Sequence, residues 1–262
     1  MKIAALIKQV PATMAVTMDE ESGTLKRSGL KAKLNPYDLF ALECALGVRE
    51  KYGGTLTAVS MGPPAAKESL LEAVYMGADE ACLVTDAAFA GSDVLATSRA
   101  LAEALKALGG FDLVVCGKQT TDGDTAQTGP QIAEWLGIPH SSGVASVQSA
   151  GPEGLTLIAE TEEQRRTLFM PFPCVICVDK DINTPRLPSF LRKRVCSEDA
   201  VRLLSIEDFY DKGRERYGLD GSPTRVVRIF EPDARGKSLR LEGDPSEVAA
   251  RLVTSLREEK LL

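Results

Sequence analysis

The sequence predicts an α/β fold: a doubly wound, mainly parallel sheet with antiparallel additions and a C-terminal arm. Three features of the 262-residue chain carry that prediction. Short apolar runs alternate with helical patterns through the first half. Glycine pairs, Gly53-Gly54 and Gly109-Gly110, punctuate that alternation. From Gly143 onward the helical spacing gives way to closely spaced short strands.

Residues 3–7 read as the first strand, and Lys8 ends its apolar run. The run is too short for a secretory signal or a membrane span. Residues 10–33 form a polar connection, with a small hairpin expected around Glu21-Ser22-Gly23. Asn35-Pro36-Tyr37-Asp38 then opens a helix that reaches about residue 51. Asn35 suits the N-cap, Pro36 the first helical position and Asp38 the first turn. Gly53-Gly54 closes the helix, and residues 55–60 form the second strand, followed by Met61-Gly62-Pro63-Pro64. A helix over 65–75 stops at Gly77, a strand spans 81–85, and a helix spans 92–108. Residues 111–116 are the fourth strand, and a helical pattern resumes over 132–136.

Such alternation implies parallel strands joined by right-handed crossovers, with helices on both faces. Ligands of these sheets lie beyond the carboxyl ends of the strands. Four separate segments are expected to converge there: Ile7-Lys8, Asn35-Pro36, Met61-Gly62 and Gly117-Lys118.

The second half supplies short strands at 143–148, 155–159 and 165–170, with a turn at Gly151-Pro152-Glu153-Gly154, and a further strand at 173–178. Pro171, Pro173, Pro185 and Pro188 bracket an exposed loop. Beyond Cys196 the chain is polar and irregular, apart from a strand expected at 226–229 and a helix at 245–258. These changes divide the chain into an α/β domain over 1–196 and an arm over 197–262 that needs a partner surface. A loosely packed C-terminal subdomain is the alternative.

With 31 Lys and Arg against 37 Asp and Glu, the net charge is −6, and aromatic residues are only 5%. Neither a basic footprint nor a base-stacking platform is present, so no nucleic-acid partner is expected. No apolar run predicts membrane insertion, and a cytoplasmic location is expected. Six cysteines are scattered through apolar stretches. Cys174-Val175-Ile176-Cys177 matches C-x-x-C, but strand positions i and i+3 point to opposite faces, which favours buried structural thiols. Without a second C-x-x-C the chain has no iron–sulfur ligand set. His140 is the only histidine, and no partner for acid–base work is evident. No side chain is therefore assigned a catalytic role. Neither a P-loop nor a G-x-G-x-x-G fingerprint occurs.

The longest distinctive stretch runs Gly117-Lys118-Gln119-Thr120-Thr121-Asp122-Gly123-Asp124-Thr125-Ala126-Gln127-Thr128-Gly129. It lies between a strand and a helix. That geometry presents backbone N–H groups to a phosphate at a helix N-terminus. Glycines allow close backbone approach, and Thr125 and Thr128 offer hydroxyl donors. The loop suits holding a nucleotide and contains no group for breaking a bond.

Taken together, these motifs resemble the β subunit of the electron transfer flavoproteins. The resemblance rests on Lys8-Gln9-Val10-Pro11, Asn35-Pro36-Tyr37-Asp38, Val59-Ser60-Met61-Gly62-Pro63, the 117–129 loop and Asn183-Thr184-Pro185-Arg186, in order and at matching spacings. It implies an adenine-nucleotide alpha-hydrolase-like fold that pairs with a larger α subunit. It also implies a buried adenine nucleotide: structural AMP in simple carriers, or a second FAD that accepts hydride from NADH in bifurcating members. The Asp122-Gly123-Asp124-Thr125-Ala126-Gln127 run looks like the bifurcating type, and AMP-binding relatives often carry a bulkier or more acidic residue at the Gly123 position. FAD is therefore the expected cofactor, with AMP as the alternative. The expected electron acceptors are the α-subunit flavin with an acyl-CoA dehydrogenase-type flavoenzyme, and ferredoxin or flavodoxin.

Several roles stay open at this level. Lys118 neutralises a phosphate, faces the flavin ring or is a solvated loop lysine. Asp122 and Asp124 cap the following helix or bind ribose. Asn35 and Asp38 contact adenosine or simply cap their helix. Met61 packs on adenine or belongs to the core, and Leu6 contributes backbone groups only. The segment Pro185-Arg186-Leu187-Pro188-Ser189-Phe190-Leu191-Arg192-Lys193-Arg194 sets Leu187, Phe190 and Leu191 beside four cations, Arg192 among them, the composition of a docking surface. In the family this position is the recognition loop for the partner dehydrogenase, within 183–194. The alternative is that Phe190 packs under its own loop. A stand-alone adenine-nucleotide-binding regulatory module of the same shape is the remaining reading of the whole chain.

Overall fold

The computed structural model of the chain describes residues 1–12, 32–227 and 240–262. It forms two compact units, Met1–Val226 and Val227–Leu262. The expected hairpin around Glu21 lies outside the described residues. The connection that carries it is closed by an antiparallel pair, β2 (Gln9–Pro11) and β3 (Ala32–Leu34).

The first unit is built on a nine-stranded sheet. Its parallel part contains β1 (Lys2–Leu6), β4 (Thr55–Met61), β5 (Glu80–Val84) and β6 (Leu113–Gly117). Further along the chain come β7 (His140–Ala150), β8 (Gly154–Glu160), β9 (Arg165–Pro171), β10 (Cys174–Val178) and β11 (Val201–Leu204). The spatial order is β11-β5-β4-β1-β6-β10-β7-β8-β9. All neighbours are parallel up to β7, and β8 and β9 continue antiparallel. β7 serves both parts: its first residues pair with β10, and its later ones, after a register shift, pair with β8.

The period of two along each strand splits the core into two layers. On β1, Ile3 and Ala5 pack under α1 (Pro36–Tyr52) and α2 (Lys67–Met76), with Leu42, Leu46 and Leu70. Ala4 and Leu6 face α3 (Val94–Ala107) and α4 (Thr128–Leu136), with Leu101, Leu105 and Ile132. Strands buried on both faces read as continuous apolar runs, as these do. Cys174 falls in the first layer and Cys177 in the second, the opposed placement that strand geometry requires. α3 and α4 are locked together on their face. Ser98 Oγ bonds Gln131 Oε1 at 2.9 Å, Trp135 Nε1 donates to Ser98 Oγ at 3.1 Å, and the Arg99 guanidinium covers the Trp135 ring.

Two capping expectations are corrected. Asn35 sits at the N-cap of α1, but its side chain makes no cap bond there. α4 begins at Thr128, earlier than the apolar pattern alone suggested, with no side-chain cap at Gln127. Neither Asp122 nor Asp124 therefore caps it.

The expected domain boundary also moves. β11 pairs in parallel with β5 at the sheet edge. Beyond it, Phe209 and Tyr217 pack on Phe89, with ring centroids 5.4 to 5.8 Å apart. Residues 197–226 thus belong to the first unit, and the boundary falls after Val226. Irregularly spaced anchors such as Ile206, Phe209 and Tyr217 leave no period to read. Val226 and Val227 are not in a strand, and the rest of the strand expected at 226–229 lies outside the described residues. The second unit contains α6 (Pro245–Glu258), capped by Asp244 and bounded as its sequence pattern predicts.

Deleting the buried Phe209 ring should cost about 3–5 kcal/mol. Urea unfolding of Phe209→Ala against the unaltered chain measures it. A chain ending at Val226 should keep the cooperative transition, and one ending at Cys196 should lose it.

Candidate functional site

A cavity of about 360 Å3 opens in the first unit at the carboxyl ends of the central strands β1 and β6. Leu6 at the end of β1 with Ile7 and Lys8 just beyond it, and Cys116 and Gly117 at the end of β6 with Lys118 just beyond, form one side. Gln119, Thr120, Gly123, Thr125, Ala126 and Thr128 of the loop after β6 form another. Ser92, Asp93, Val94, Thr97 and Leu101 at the start of α3 complete it. The cavity lies within the roughly 300–1,000 Å3 of small-molecule sites, near the lower end.

Asp38 stands at the base. It is buried, accepts the Lys8 backbone N–H at 2.8 Å, and is bonded by the Gly117 backbone. Burial pushes its carboxyl up to about 7, against the lowering effect of these bonds and of Asn35. Gly117 is required here, because a Cβ would collide with the Asp38 carboxylate and the Tyr37 backbone.

Asn35 is a clamp. Its Nδ2 donates to the Gln119 carbonyl at 3.0 Å, and its Oδ1 accepts the Thr121 N–H at 3.3 Å. The side chain that propensity assigns to helix capping is therefore spent on holding the loop. Pro36 starts α1 and leaves Tyr37 against Gly117. Farther along the loop, Asp124 and Ala126 have φ near +50°, a left-handed conformation that re-aims successive backbone N–H groups.

The charges at this end are paired. Lys8 Nζ lies 2.8 Å from Asp122, and Lys118 Nζ lies 2.8 Å from Asp179. Against desolvation of a partly buried carboxyl, the Lys8 ammonium holds Asp122 below its ordinary range. Asp93 accepts the Leu95 and Ala96 N–H groups and two bonds from Thr224. Against its own desolvation, these bonds hold its carboxyl low. The N-termini of α3 and α4 both reach the cavity wall; Asp93 caps that of α3, and that of α4 has no side-chain cap and leaves its positive dipole end facing the cavity.

Of the residues expected here, Leu6, Lys8, Asp38, Gly117, Lys118, Gln119, Thr120, Gly123, Thr125, Ala126 and Thr128 line the cavity. Asn35, Thr121 and Asp122 stand behind the wall and hold it. Pro36, Tyr37, Asp124 and Gln127 belong to the same segments without lining the cavity. Met61 and Gly62 end β4 outside the wall, with Met61 packed on the second core layer. The α3 contribution escaped the sequence reading. Its local signal, Ser92-Asp93 before a helical pattern, marks a cap but not what the helix faces. His140 opens β7 near Glu134, away from the cavity, and no group of three or more metal-ligating side chains occurs among the described residues.

A second surface lies at 183–195. Residues expected in an irregular loop include a short helix, α5 (Phe190–Val195), capped by Ser189. Leu187 is 87% exposed and Phe190 72%, so Phe190 does not pack under its own loop. Leu191 and Arg192 are exposed beside them. The approach to this surface is rigid: the Arg186 guanidinium forks onto both Glu43 and Glu50, and Asn183 bonds the Phe40 carbonyl at 3.0 Å.

Residues 22–201 match the electron transfer flavoprotein domain. The chain is 40% identical over 259 residues to the electron transfer flavoprotein subunit beta of Clostridium acetobutylicum, covering 99% of each chain. It is 39% identical over 256 residues to protein FixA of Bradyrhizobium diazoefficiens, covering 95% of this chain and 89% of that one. It is 38% identical over 264 residues to the caffeyl-CoA reductase-Etf complex subunit CarD of Acetobacterium woodii, covering 100% of each. No helix among the described residues is long and apolar enough to cross a membrane.

The buried Asp38 carboxyl makes stability depend on pH. Its native pKa of about 7 lies above its unfolded value, so the native state holds a proton that the unfolded chain has released. Stability from this group is complete below the unfolded pKa and is lost as pH rises through about 7. The urea midpoint should therefore fall between about pH 4 and about pH 7 and level off above that, and Asp38→Asn should flatten that fall.

Proposed function

The chain belongs to the electron transfer flavoprotein β-subunit family, and on that premise we propose that it pairs with an α subunit in the cytoplasm and holds FAD at the cavity beyond β1 and β6. The observation that carries the reading is the convergence there of the uncapped N-terminus of α4 and a hydroxyl-rich glycine loop, with the neighbouring carboxylates already engaged. A diphosphate needs donors and no unspent negative charge, and this donor set supplies that.

Thr120, Thr125, Thr128 and backbone N–H groups of the loop would hold phosphate oxygens. Lys8 and Lys118, each ion-paired at the rim, would add positive charge. Asp38 would face the adenosine end from the base of the cavity, with Asn35, Pro36 and Tyr37 holding that base in place, while Met61 and Gly62 could meet only the part of a ligand that extends past the wall. FAD, when bound, supplies the hydride acceptor for NADH and the one-electron chemistry that bifurcation needs. This chain's residues bind, orient and shield it.

The cavity volume supports a second reading. About 360 Å3 fits one nucleotide better than two, so structural AMP would fill the space that this chain encloses alone. A dinucleotide would have to extend past these walls toward the α subunit. A stand-alone regulatory module is disfavoured by the exposed apolar surfaces at 187–195 and at Leu252 and Val253 of α6, which suit a chain with partners.

The proposed partner at Leu187, Phe190, Leu191 and Arg192 is an acyl-CoA dehydrogenase-type flavoenzyme, with ferredoxin or flavodoxin as the other acceptor. Two relatives are named for CoA-ester reductases: CarD, and the acryloyl-CoA reductase electron transfer subunit gamma of Anaerotignum propionicum. Those names support the choice.

Denaturing the co-purified αβ complex and quantifying the released nucleotides tests the cofactor. Two FAD per heterodimer is the expected result, and one FAD with one AMP would replace it with the structural reading. For docking, Phe190→Ala with Leu187→Ala should weaken binding to the partner dehydrogenase by about tenfold or more, as loss of a hot spot does. Nucleotide content should not change. Equal affinity in a titration would remove this surface from the interface.

A further inference from the structure

Cys116 on β6 and Cys177 on β10 are direct register partners on adjacent parallel strands. Their Sγ atoms lie 3.5 Å apart in a thiol hydrogen bond. Neighbouring strands run about 4.7–4.9 Å apart. Opposed residues therefore fall inside the roughly 4.4–6.8 Å Cα separation that a disulfide bridges. Bond formation needs the sulfurs to approach by about 1.5 Å, which side-chain rotation supplies.

The two thiols have different access. Cys116 lines the cavity, and Cys177 lies behind it at 2% exposure. One bond links the two thiols, and either sulfur can donate in it, so the pair gives up its first proton as a unit and the remaining S–H holds the thiolate that forms. A third element rests on both sulfurs: a Cβ at Gly129 would collide with each of them. Gly129 lies in the first turn of α4, directly after the 117–128 loop.

We infer that Cys116 and Cys177 form a modification site, a dithiol that a small hydroperoxide entering through the cavity converts to a disulfide. Cys116 Sγ attacks the peroxide O–O bond, becomes a sulfenic acid and releases one water. Cys177 Sγ displaces the sulfenic oxygen, and the Cys177 proton leaves with it as a second water. Two thiols and one hydrogen peroxide give one disulfide and two waters. The contraction occurs directly beneath the start of α4, so the disulfide alters the seat of the phosphate loop. A ligand in the cavity covers Cys116, so occupancy protects the pair; this protection rests on the nucleotide reading above.

The test uses the full chain treated with hydrogen peroxide, followed by alkylation of remaining thiols and peptide mapping by mass spectrometry. The expected product links the Cys116 and Cys177 peptides with loss of two hydrogens. In Cys177→Ser, dimedone should trap the sulfenic acid on Cys116. AMP at about ten times its measured Kd should slow the linkage about tenfold, in proportion to the free site. Both cysteines alkylated under conditions that oxidise the half-buried Cys196 would overturn the proposal. An undiminished rate at saturating AMP, with binding shown by calorimetry, would overturn entry through the cavity. Absence of AMP binding would count against the nucleotide reading alone, because the linked peptides stand without it.

Discussion

One buried carboxylate ties the site to the sheet. Asp38, in the first turn of α1, is bonded by backbone groups at the ends of both central strands, at Lys8 and at Gly117. Strand ends beyond a sheet lose their ladder partners, and their N–H groups need acceptors. Asp38 supplies one acceptor to two of them and so fixes where β1 and β6 stop relative to each other. The loops that leave those strands inherit that geometry. The carboxyl is desolvated in return, and its raised pKa is the mark of that cost.

The loop over 117–128 depends on this anchor through Asn35, three residues earlier. One side-chain amide bridges Gln119 and Thr121, so the loop is clamped to the start of α1 instead of being held by its own sequence. Gly117 and Gly129 mark the two closest approaches, one against Asp38 and one against the paired cysteines. Between them lie the left-handed residues Asp124 and Ala126, a conformation of some cost that persists only when the surroundings hold it. Ion pairs from Lys8 to Asp122 and from Lys118 to Asp179 keep the rim charges in place.

The same design recurs at the exposed surface. Arg186 is held by two carboxylates on α1, and the Ser189 backbone N–H donates to the Tyr75 carbonyl. Leu187 and Phe190 are thereby presented on a fixed base. α1 thus supports both surfaces, with Asp38 and Asn35 at one end and Glu43 and Glu50 along its length. A rigid presentation lowers the entropy lost when a partner binds.

Much of this was legible in the chain itself. The α/β class, the parallel core, the order of elements and the 117–129 loop follow from local pattern, because apolar period and turn residues act over a few positions. The opposed faces of Cys174 and Cys177 follow from strand geometry alone. What pattern could not supply was pairing across the sequence. The place of β10 between β6 and β7, the seat of β11 beside β5, the α3 wall and the clamp at Asn35 join residues dozens of positions apart. Capping propensity even pointed Asn35 to the wrong partner, because a tertiary acceptor outcompeted the local one. The sequence by itself determined the main strands and helices of the α/β core and the polar, glycine-containing loop after β6. Only the folded sheet decided which of them meet, since strand order is set by burial of whole faces and not by any local period.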